Sequence, residues 1–246
     1  MDSKAASLTG RTATLIRKRI EKGGERLWRL DDFRDLSPMA AAQALSRLAR
    51  QGAIERVSKG IYYRSRKSAF GRSRPNPAAI RKLATSRKTV FPSGIAAASH
   101  LGFTTQNPRR AELATTALSL PRKLFGEDAL IHTRRPEAWS RLSATDAAIL
   151  DFLRSGGKTG ELSAKETIER MRTLLSEPGR YAGLIAIADT EPPRVRAILG
   201  ACGEMLRRPD KELNRLRKSL NPFSRFDFGI FATMPTAKNW QAKGTR

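Results

Sequence analysis

The chain has 246 residues, and its 47 lysines and arginines against 23 aspartates and glutamates give a formal net charge of +24. Hydrophobic residues make up 39% of the chain, enough to bury a core, and the length suits two small domains better than one large one. These residues recur in blocks, which argues against a chain disordered from end to end. A single cysteine, Cys202, excludes an internal disulfide and a multi-cysteine zinc site, as is typical of a reducing compartment.

The chain has no run of 18 apolar residues and no apolar core near its first residue. We therefore expect a cytoplasmic protein that neither spans a membrane nor is secreted. The excess of positive charge favours nucleic acid as the partner, with a solvated basic surface, a ribosome-associated protein or a membrane-facing protein as alternatives. Residues 1–74 hold 18 of the basic residues and 7 of the acidic ones. The amino-terminal part is therefore the more densely charged and the expected contact with an anion.

The amino-terminal part is predicted to contain three helices and a hairpin. Gly23-Gly24 ends the first helix, and a glycine at position 60 gives the hairpin its turn. The predicted elements, in chain order, are a helix at residues 12–22, an extended piece at 27–30, a short helix at 32–36 capped by Asp31, a helix at 39–51 and a hairpin of strands 53–57 and 61–64.

The third predicted helix has the clearest pattern. Ser37-Pro38 is a start signal, because a hydroxyl cap is followed by proline at the first helical position. The residues expected to face inward, at helical spacing, are Ala41, Ala44, Leu45 and Leu48. The residues expected to face outward are Gln43, Ser46, Arg47 and Arg50.

This order of elements is typical of a winged helix-turn-helix domain, which places its third helix in the major groove of DNA and its hairpin on the flanking backbone. A surface helix often carries such polar residues without binding anything. However, residues 56–74 contain no acidic residue, which favours an anionic partner. The predicted DNA-binding residues are Gln43, Ser46, Arg47 and Arg50 in the groove and Arg56, Ser58 and Lys59 on the backbone.

The rest of the chain is predicted to combine a small mixed sheet with a mainly helical second half, so the fold class is a helix-rich α+β. The predicted helices are 77–85, 94–101, 145–153, 164–176, 179–188 and 193–206, and the predicted strands are 89–91, 111–119, 122–125 and 129–133. The predicted organisation is a winged helix-turn-helix at 1–64, a basic linker at 65–77, a mixed α/β domain at 78–235 and a polar tail at 236–246.

No motif predicts an enzyme, a metal site or a cofactor site. Gly156-Gly157-Lys158-Thr159 resembles a phosphate-binding loop, but the glycine that this loop needs five positions before Gly157 is Phe152 here. The segment also follows a predicted helix, so we interpret it as a helix end. His100 and His132 have no second ligand at zinc spacing, and Cys202 is expected to be a buried thiol.

Two stretches of the chain resemble the AbiEi-type antitoxins of bacterial type IV toxin–antitoxin systems, which are linked to abortive phage infection. The resemblance extends over residues 12–135, and position 59 carries Lys where the family often has Arg. The matching residues are 32–33, 44–48, 52, 54–57 and 59–63 in the first stretch and Phe91-Pro92-Ser93-Gly94, Ala96-Ala97, 101–106 and Pro108 in the second.

The resemblance implies an antitoxin that represses its own operon by binding promoter repeats in double-stranded DNA. It also implies that the second domain counteracts a nucleotidyltransferase-type toxin without a stable complex. Two alternatives stay open. One is a winged-helix transcriptional regulator with a ligand-sensing second domain and no toxin partner. The other is a nucleic-acid-processing enzyme, for which the sequence offers no carboxylate set.

Overall fold

The computed structural model describes residues 2–69, 71–73, 89–120, 122, 125–126 and 128–244, with no side-chain description for residues 2–11, 67–68 and 71–72. The fold is a mixed α+β structure, about half helical, with small sheets. The predicted helix at 77–85 and most of the predicted strand at 122–125 lie outside the described residues. Within the described part, no helix has both the length and the apolar composition needed to cross a membrane.

The chain divides into two compact units. Unit 1 consists of Met1–Arg87 with Pro121–Phe125, and unit 2 consists of Lys88–Leu120 with Gly126–Arg246. The elements of unit 1 are α1 (Asp2–Gly23), β1 (Leu27–Arg29), a 3-10 helix (Leu30–Phe33), α2 (Pro38–Arg50), β2 (Glu55–Ser58), β3 (Ile61–Tyr63), β4 (Lys67–Ser68) and β5 (Gly71–Arg72).

The core of unit 1 forms between α1, α2 and an antiparallel sheet of order β1-β3-β2. Ile16 and Ile20 of α1 are buried, and Trp28 of β1 stacks on Phe33 with 5.7 Å between the ring centroids. The prediction for the inner face of α2 is confirmed, because all four residues assigned to it are buried: Ala41, Ala44, Leu45 and Leu48. Leu15, by contrast, is 52% exposed.

One predicted helix cap is wrong, and the other is in place without its side-chain hydrogen bond. Asp31 lies inside the 3-10 helix Leu30–Phe33 and not before it; the side chain of Asp32 instead accepts a hydrogen bond of 2.7 Å from the Arg29 N–H. Ser37 precedes α2, but its hydroxyl makes no capping hydrogen bond. Pro38 at the first helical position has no N–H to satisfy and a fixed φ suited to a helix, so it favours the start of α2 without a side-chain cap.

The first half of the predicted linker is ordered as part of unit 1. Strands β4 and β5 pair as a short antiparallel hairpin. The Ser73 hydroxyl accepts the Arg66 N–H at 2.7 Å and lies 3.0 Å from the Tyr63 hydroxyl, which donates to Glu25 at 2.5 Å. Through these contacts Arg66 and Ser73 are held against unit 1 and do not form a free linker. Residues 70 and 74–77 of the predicted linker lie outside the described part of the chain.

Unit 2 has a three-stranded sheet of order β6-β7-β8, antiparallel between β6 and β7 and parallel between β7 and β8. Its elements are β6 (Val90–Pro92), α3 (Gly94–His100), β7 (Glu112–Thr115), β8 (Leu130–His132), a 3-10 helix (Glu137–Arg141), α4 (Ala144–Arg154), α5 (Ala164–Ser176), α6 (Arg180–Ala186), a 3-10 helix (Ala188–Thr190), α7 (Pro193–Met205), α8 (Asp210–Lys218) and 3-10 helices at Gly229–Thr233 and Ala237–Trp240.

The core of unit 2 is built around α4 and α7, and it includes residues predicted to form a polar tail. Ala237 and Trp240 are buried in this core, so the predicted tail at 236–246 is wrong over these positions. The Trp240 ring lies against α7 at Gly200, where an added Cβ would come within 2.1 Å of the indole. The absence of a side chain at Gly200 of α7 therefore leaves the space that the Trp240 indole fills.

Candidate nucleic-acid interface

Helix α2 presents a polar outer face opposite its buried one. Gln43, Arg47 and Arg50 are exposed and Ser46 is half-buried. Because the inner face consists of alanine and leucine, the helix packs through short apolar side chains and leaves amide, hydroxyl and guanidinium groups to solvent. Within the described residues, no hydrogen bond or ion pair of unit 1 occupies these four side chains.

A groove joins the second half of α2 to strand β2. Ser46 and Arg50 line it from the helix and Arg56 lines it from the strand, around a volume of about 480 Å³. Arg56 is exposed, and neither guanidinium group has an ion-pair partner within the described residues. The structure therefore brings together three of the seven predicted DNA-binding residues on one concave surface.

The remaining predicted residues of the hairpin lie at its end. Ser58 pairs with Ile61 across a two-residue loop of Lys59 and Gly60, after a register irregularity between Arg56 and Ser58. Gly60 has φ of +72°, which an L-residue with a side chain rarely adopts. Lys59 is exposed and Ser58 half-buried, and neither lines the groove. Gln43 and Arg47 also lie on the outer face of α2 without lining it.

Other arginines of unit 1 are bonded within the fold. Arg17 donates to Gln51 at 2.7 Å, and Arg19 forms two hydrogen bonds of 2.7 Å with Asp35. This pairing lowers the pKa of Asp35 to about 2, chiefly through the hydrogen bond from Arg19. Arg64 donates to the carbonyl oxygen of Ile20 near the end of α1, at 2.8 Å. Among the described arginines of unit 1, Arg17, Arg19 and Arg64 are bonded within the fold, whereas Arg47, Arg50 and Arg56 on α2 and β2 are unpaired.

The sequence prediction missed two polar residues that line the groove, Glu55 and Ser65. Glu55 is exposed and is the one acidic residue between Asp35 and Glu112 in the sequence. That isolation was the available signal, since a carboxylate in a basic segment can accept a hydrogen bond from a base while repelling phosphate. Ser65 follows the hairpin in sequence, and no pattern marked it.

Comparison with known families gives one match by sequence. Residues 15–123 match a family of unknown function, DUF6088. The matched region is less than half of the chain and includes the groove and the second stretch of the resemblance described above. No curated protein matches the chain. The fold is also similar to the crystal structure of the RV2827C protein from Mycobacterium tuberculosis, with a TM-score of 0.41 and 13% identity over 89% of this chain and 83% of that chain. A likeness this weak carries no argument about function.

The glycine pair in unit 2 ends a helix, as predicted. Gly156 and Gly157 follow α4, and their N–H groups donate to the carbonyl oxygens of Leu153 and Phe152. The Gly156 carbonyl oxygen also accepts the Ile230 N–H at 3.1 Å, and a Cβ on Gly229 would meet that oxygen at 2.2 Å. These glycines therefore allow two backbone segments to approach closely.

His100, His132 and Cys202 lie at three different places in unit 2. His100 lies 3.1 Å from the Thr145 hydroxyl through its Nε2 atom, and His132 lies at the end of β8. Cys202 is fully buried, which raises the pKa of its thiol to about 12. In the part of the chain that the structure describes, no group of three or more His, Cys, Asp or Glu side chains could hold a metal ion.

Proposed function

We propose that unit 1 is a winged helix-turn-helix domain that binds double-stranded DNA. In this proposal α2 enters the major groove and the hairpin of β2 and β3 lies along the flanking backbone. The observation that carries the proposal is the groove in which Ser46 and Arg50 of the helix and Arg56 of the hairpin line one surface, with unpaired guanidinium groups. Arginine in this setting binds guanine bidentately or phosphate.

The distribution of charge supports the same proposal. Among the arginines that pack against α1 and the sheet, Arg19 is neutralised by its ion pair with Asp35, whereas Arg17 and Arg64 donate to neutral oxygens and keep their charge. The unpaired group on α2 and β2 retains its full charge at the surface. Binding of DNA to it would release counterions, and the affinity would fall as salt rises.

A gel-shift titration with a fragment of the protein's own promoter tests this. We expect log Kobs to fall linearly with log[KCl], and Arg50→Gln to weaken binding and reduce the slope by about 1. Arg141→Gln, which removes an equal charge from an exposed position in unit 2, is the matched control and should leave the slope unchanged. Binding that does not depend on salt would contradict the proposal.

We further propose that the chain is an antitoxin that represses its own operon and counteracts a nucleotidyltransferase-type toxin. This proposal rests on the resemblance of residues 12–135 to AbiEi-type antitoxins. Co-expression with a neighbouring nucleotidyltransferase gene tests it: the full chain should rescue growth. Rescue that persists with an Arg50→Gln chain deficient in promoter binding would separate toxin neutralisation from repression. Failure of rescue would favour the regulator without a toxin partner.

A further inference from the structure

A second polar site lies inside unit 2 and contains two ion pairs. Arg135 contacts Asp151 at 2.7 Å, and Arg154 contacts Glu191 at 2.7 Å. The acidic side chains are the more deeply buried, at 7% and 0% exposure, while the arginines keep 14% and 19%. A solute that approaches this site therefore meets guanidinium groups before it meets carboxylates.

The two carboxylates are already bonded by several donors. Asp151 also accepts hydrogen bonds of 2.9 Å from the Ser93 hydroxyl and the Gly94 N–H. Glu191 also accepts one of 2.7 Å from the indole N–H of Trp139. Carboxylates bonded in this way have little capacity left to attract a cation.

The arginines, by contrast, keep unused donors. The Nε atom of Arg135 is buried and has no hydrogen-bond partner within the described residues. Arg154 uses its Nε atom for Glu191, and no bond within the described residues occupies its two Nη atoms. A buried donor without a partner, such as the Arg135 Nε atom, is unfavourable because it loses hydration without compensation. The site is therefore short of acceptors.

The two guanidinium groups also lie close to the same aromatic ring. Their carbon atoms are 5.3 Å and 5.4 Å from the Trp139 ring centre, for Arg135 and Arg154 respectively. Burial lowers the pKa of Arg135, and repulsion from Arg154 lowers it further. An anion placed near both groups would reduce that repulsion.

A cavity of about 450 Å³ opens onto this site, and a third arginine lines it. Arg194 donates to the carbonyl oxygen of Arg154 and has no ion pair within the described residues, although its charge helps to lower the pKa of Asp227. Ser155 and Thr159 also line it, and the Ser155 hydroxyl donates to the Phe152 carbonyl oxygen at 2.7 Å. The lining carboxylate of Glu112 is engaged by Arg110, at 3.6 Å.

We propose that this cavity binds a small molecule through an oxyanion group, a phosphate or a carboxylate. Arg154 and Arg194 supply the charge, and the hydroxyl group of Thr159 supplies a neutral donor. The volume is within the range of small-molecule pockets, about 300–1,000 Å³, so a ligand larger than a bare ion fits. The site lies wholly within unit 2 and is separate from the proposed DNA interface.

The experiment measures the thermal unfolding of the full chain in phosphate, in citrate and in chloride at equal ionic strength. A ligand that binds the folded state at tenfold its Kd should raise the Tm of unit 2 by about 3–5 °C. The phosphate and citrate arms distinguish the two sources of the oxyanion. Isothermal titration with inorganic phosphate should give one site per chain.

Arg194→Gln is the test variant and Arg141→Gln the charge-matched control, as Arg141 is exposed and does not line the cavity. We expect Arg141→Gln to keep the full shift and Arg194→Gln to lose most of it. Thr159→Val, which keeps every charge, should reduce the shift and serves if Arg194→Gln does not fold. Equal shifts in all variants, or no shift in the original chain, would overturn the proposal.

Discussion

The two units use arginine in opposite ways. In unit 1, Arg50 and Arg56 line an open groove without carboxylate partners, whereas in unit 2, Arg135 and Arg154 are each held at 2.7 Å from a buried carboxylate. Both are cationic concave surfaces of similar size. The difference lies in the neighbouring acids: Glu55 is exposed at the groove edge, while Asp151 and Glu191 lie beneath their arginines.

This comparison separates binding from folding. A surface arginine without a partner contributes little to stability and is available to an external anion. Removing either member of a buried pair lowers the stability of the fold, because the other member is left charged and desolvated. Substitution of the unpaired arginines of unit 1 should therefore change affinity at constant stability, and substitution within the buried ion pairs of unit 2 should change stability.

The largest expected effect is the loss of one member of a buried pair. Asp151→Ala should destabilise unit 2 by about 3–5 kcal/mol, because Arg135, Ser93 and Gly94 all lose their acceptor. Urea unfolding followed by circular dichroism measures this. Asp189→Ala breaks the exposed pair with Arg215 and should lower the free energy of unfolding by less than about 1 kcal/mol. Equal losses of stability in Asp151→Ala and Asp189→Ala would contradict the distinction between buried and exposed ion pairs.

A core substitution in unit 1 should come next. Leu45 lies on α2 and is fully buried in the core of unit 1. Leu45→Ala should therefore destabilise unit 1 by about 2–5 kcal/mol. Chemical denaturation measures the change. Gln43→Ala, on the outer face of the same helix, is the control and should have almost no effect on unfolding. An equally stable Leu45→Ala protein would refute the assignment of the inner face.

Substitution on the outer face of α2 should affect DNA binding alone. Arg47→Gln should weaken binding to the promoter fragment by about 1–3 kcal/mol, roughly 5- to 150-fold, if this side chain contacts a base. The thermal midpoint should stay nearly unchanged, since Arg47 is exposed and has no bonded partner within the described residues. Unaltered binding in a gel shift would remove this face from the interface.

The smallest expected effect is the pH dependence of the Arg19–Asp35 pair. The folded-state pKa of Asp35 is about 2, below its ordinary value of 3.8. The pair therefore stabilises the folded state above about pH 4, and this contribution is lost as the pH falls towards 2. A carboxyl titration followed by NMR checks it. Arg19→Gln should return the Asp35 pKa towards 3.8, and an unchanged titration would contradict the pairing.

Sequence reasoning predicted the elements that local pattern determines. The helix over 164–176 agrees with Ala164–Ser176 at both ends, and the four inner residues of α2 follow from a 3.6-residue period. The helix N-caps were predicted less well. Ser37 and Asp31 are common capping residues, but the Ser37 hydroxyl makes no capping hydrogen bond, and Asp32 rather than Asp31 accepts the Arg29 N–H.

The groove of unit 1 and the ion pairs of unit 2 depend on contacts between residues that are distant in the sequence. Gln43, Arg47 and Arg50 were predicted to be exposed from periodicity alone, and they are. The groove, however, needs β2 to return beside α2, so Glu55 and Ser65 were missed. The ion pairs of unit 2 join residues 16 and 37 positions apart, a separation that carries no local pattern.

The contact between Trp240 and Gly200 has an evolutionary consequence. The indole occupies the volume that any side chain at position 200 would need, so the two positions cannot change size independently. In related chains, a larger residue at the helix position should accompany a smaller one at the aromatic position. Alignments of homologues would then show these two columns varying together.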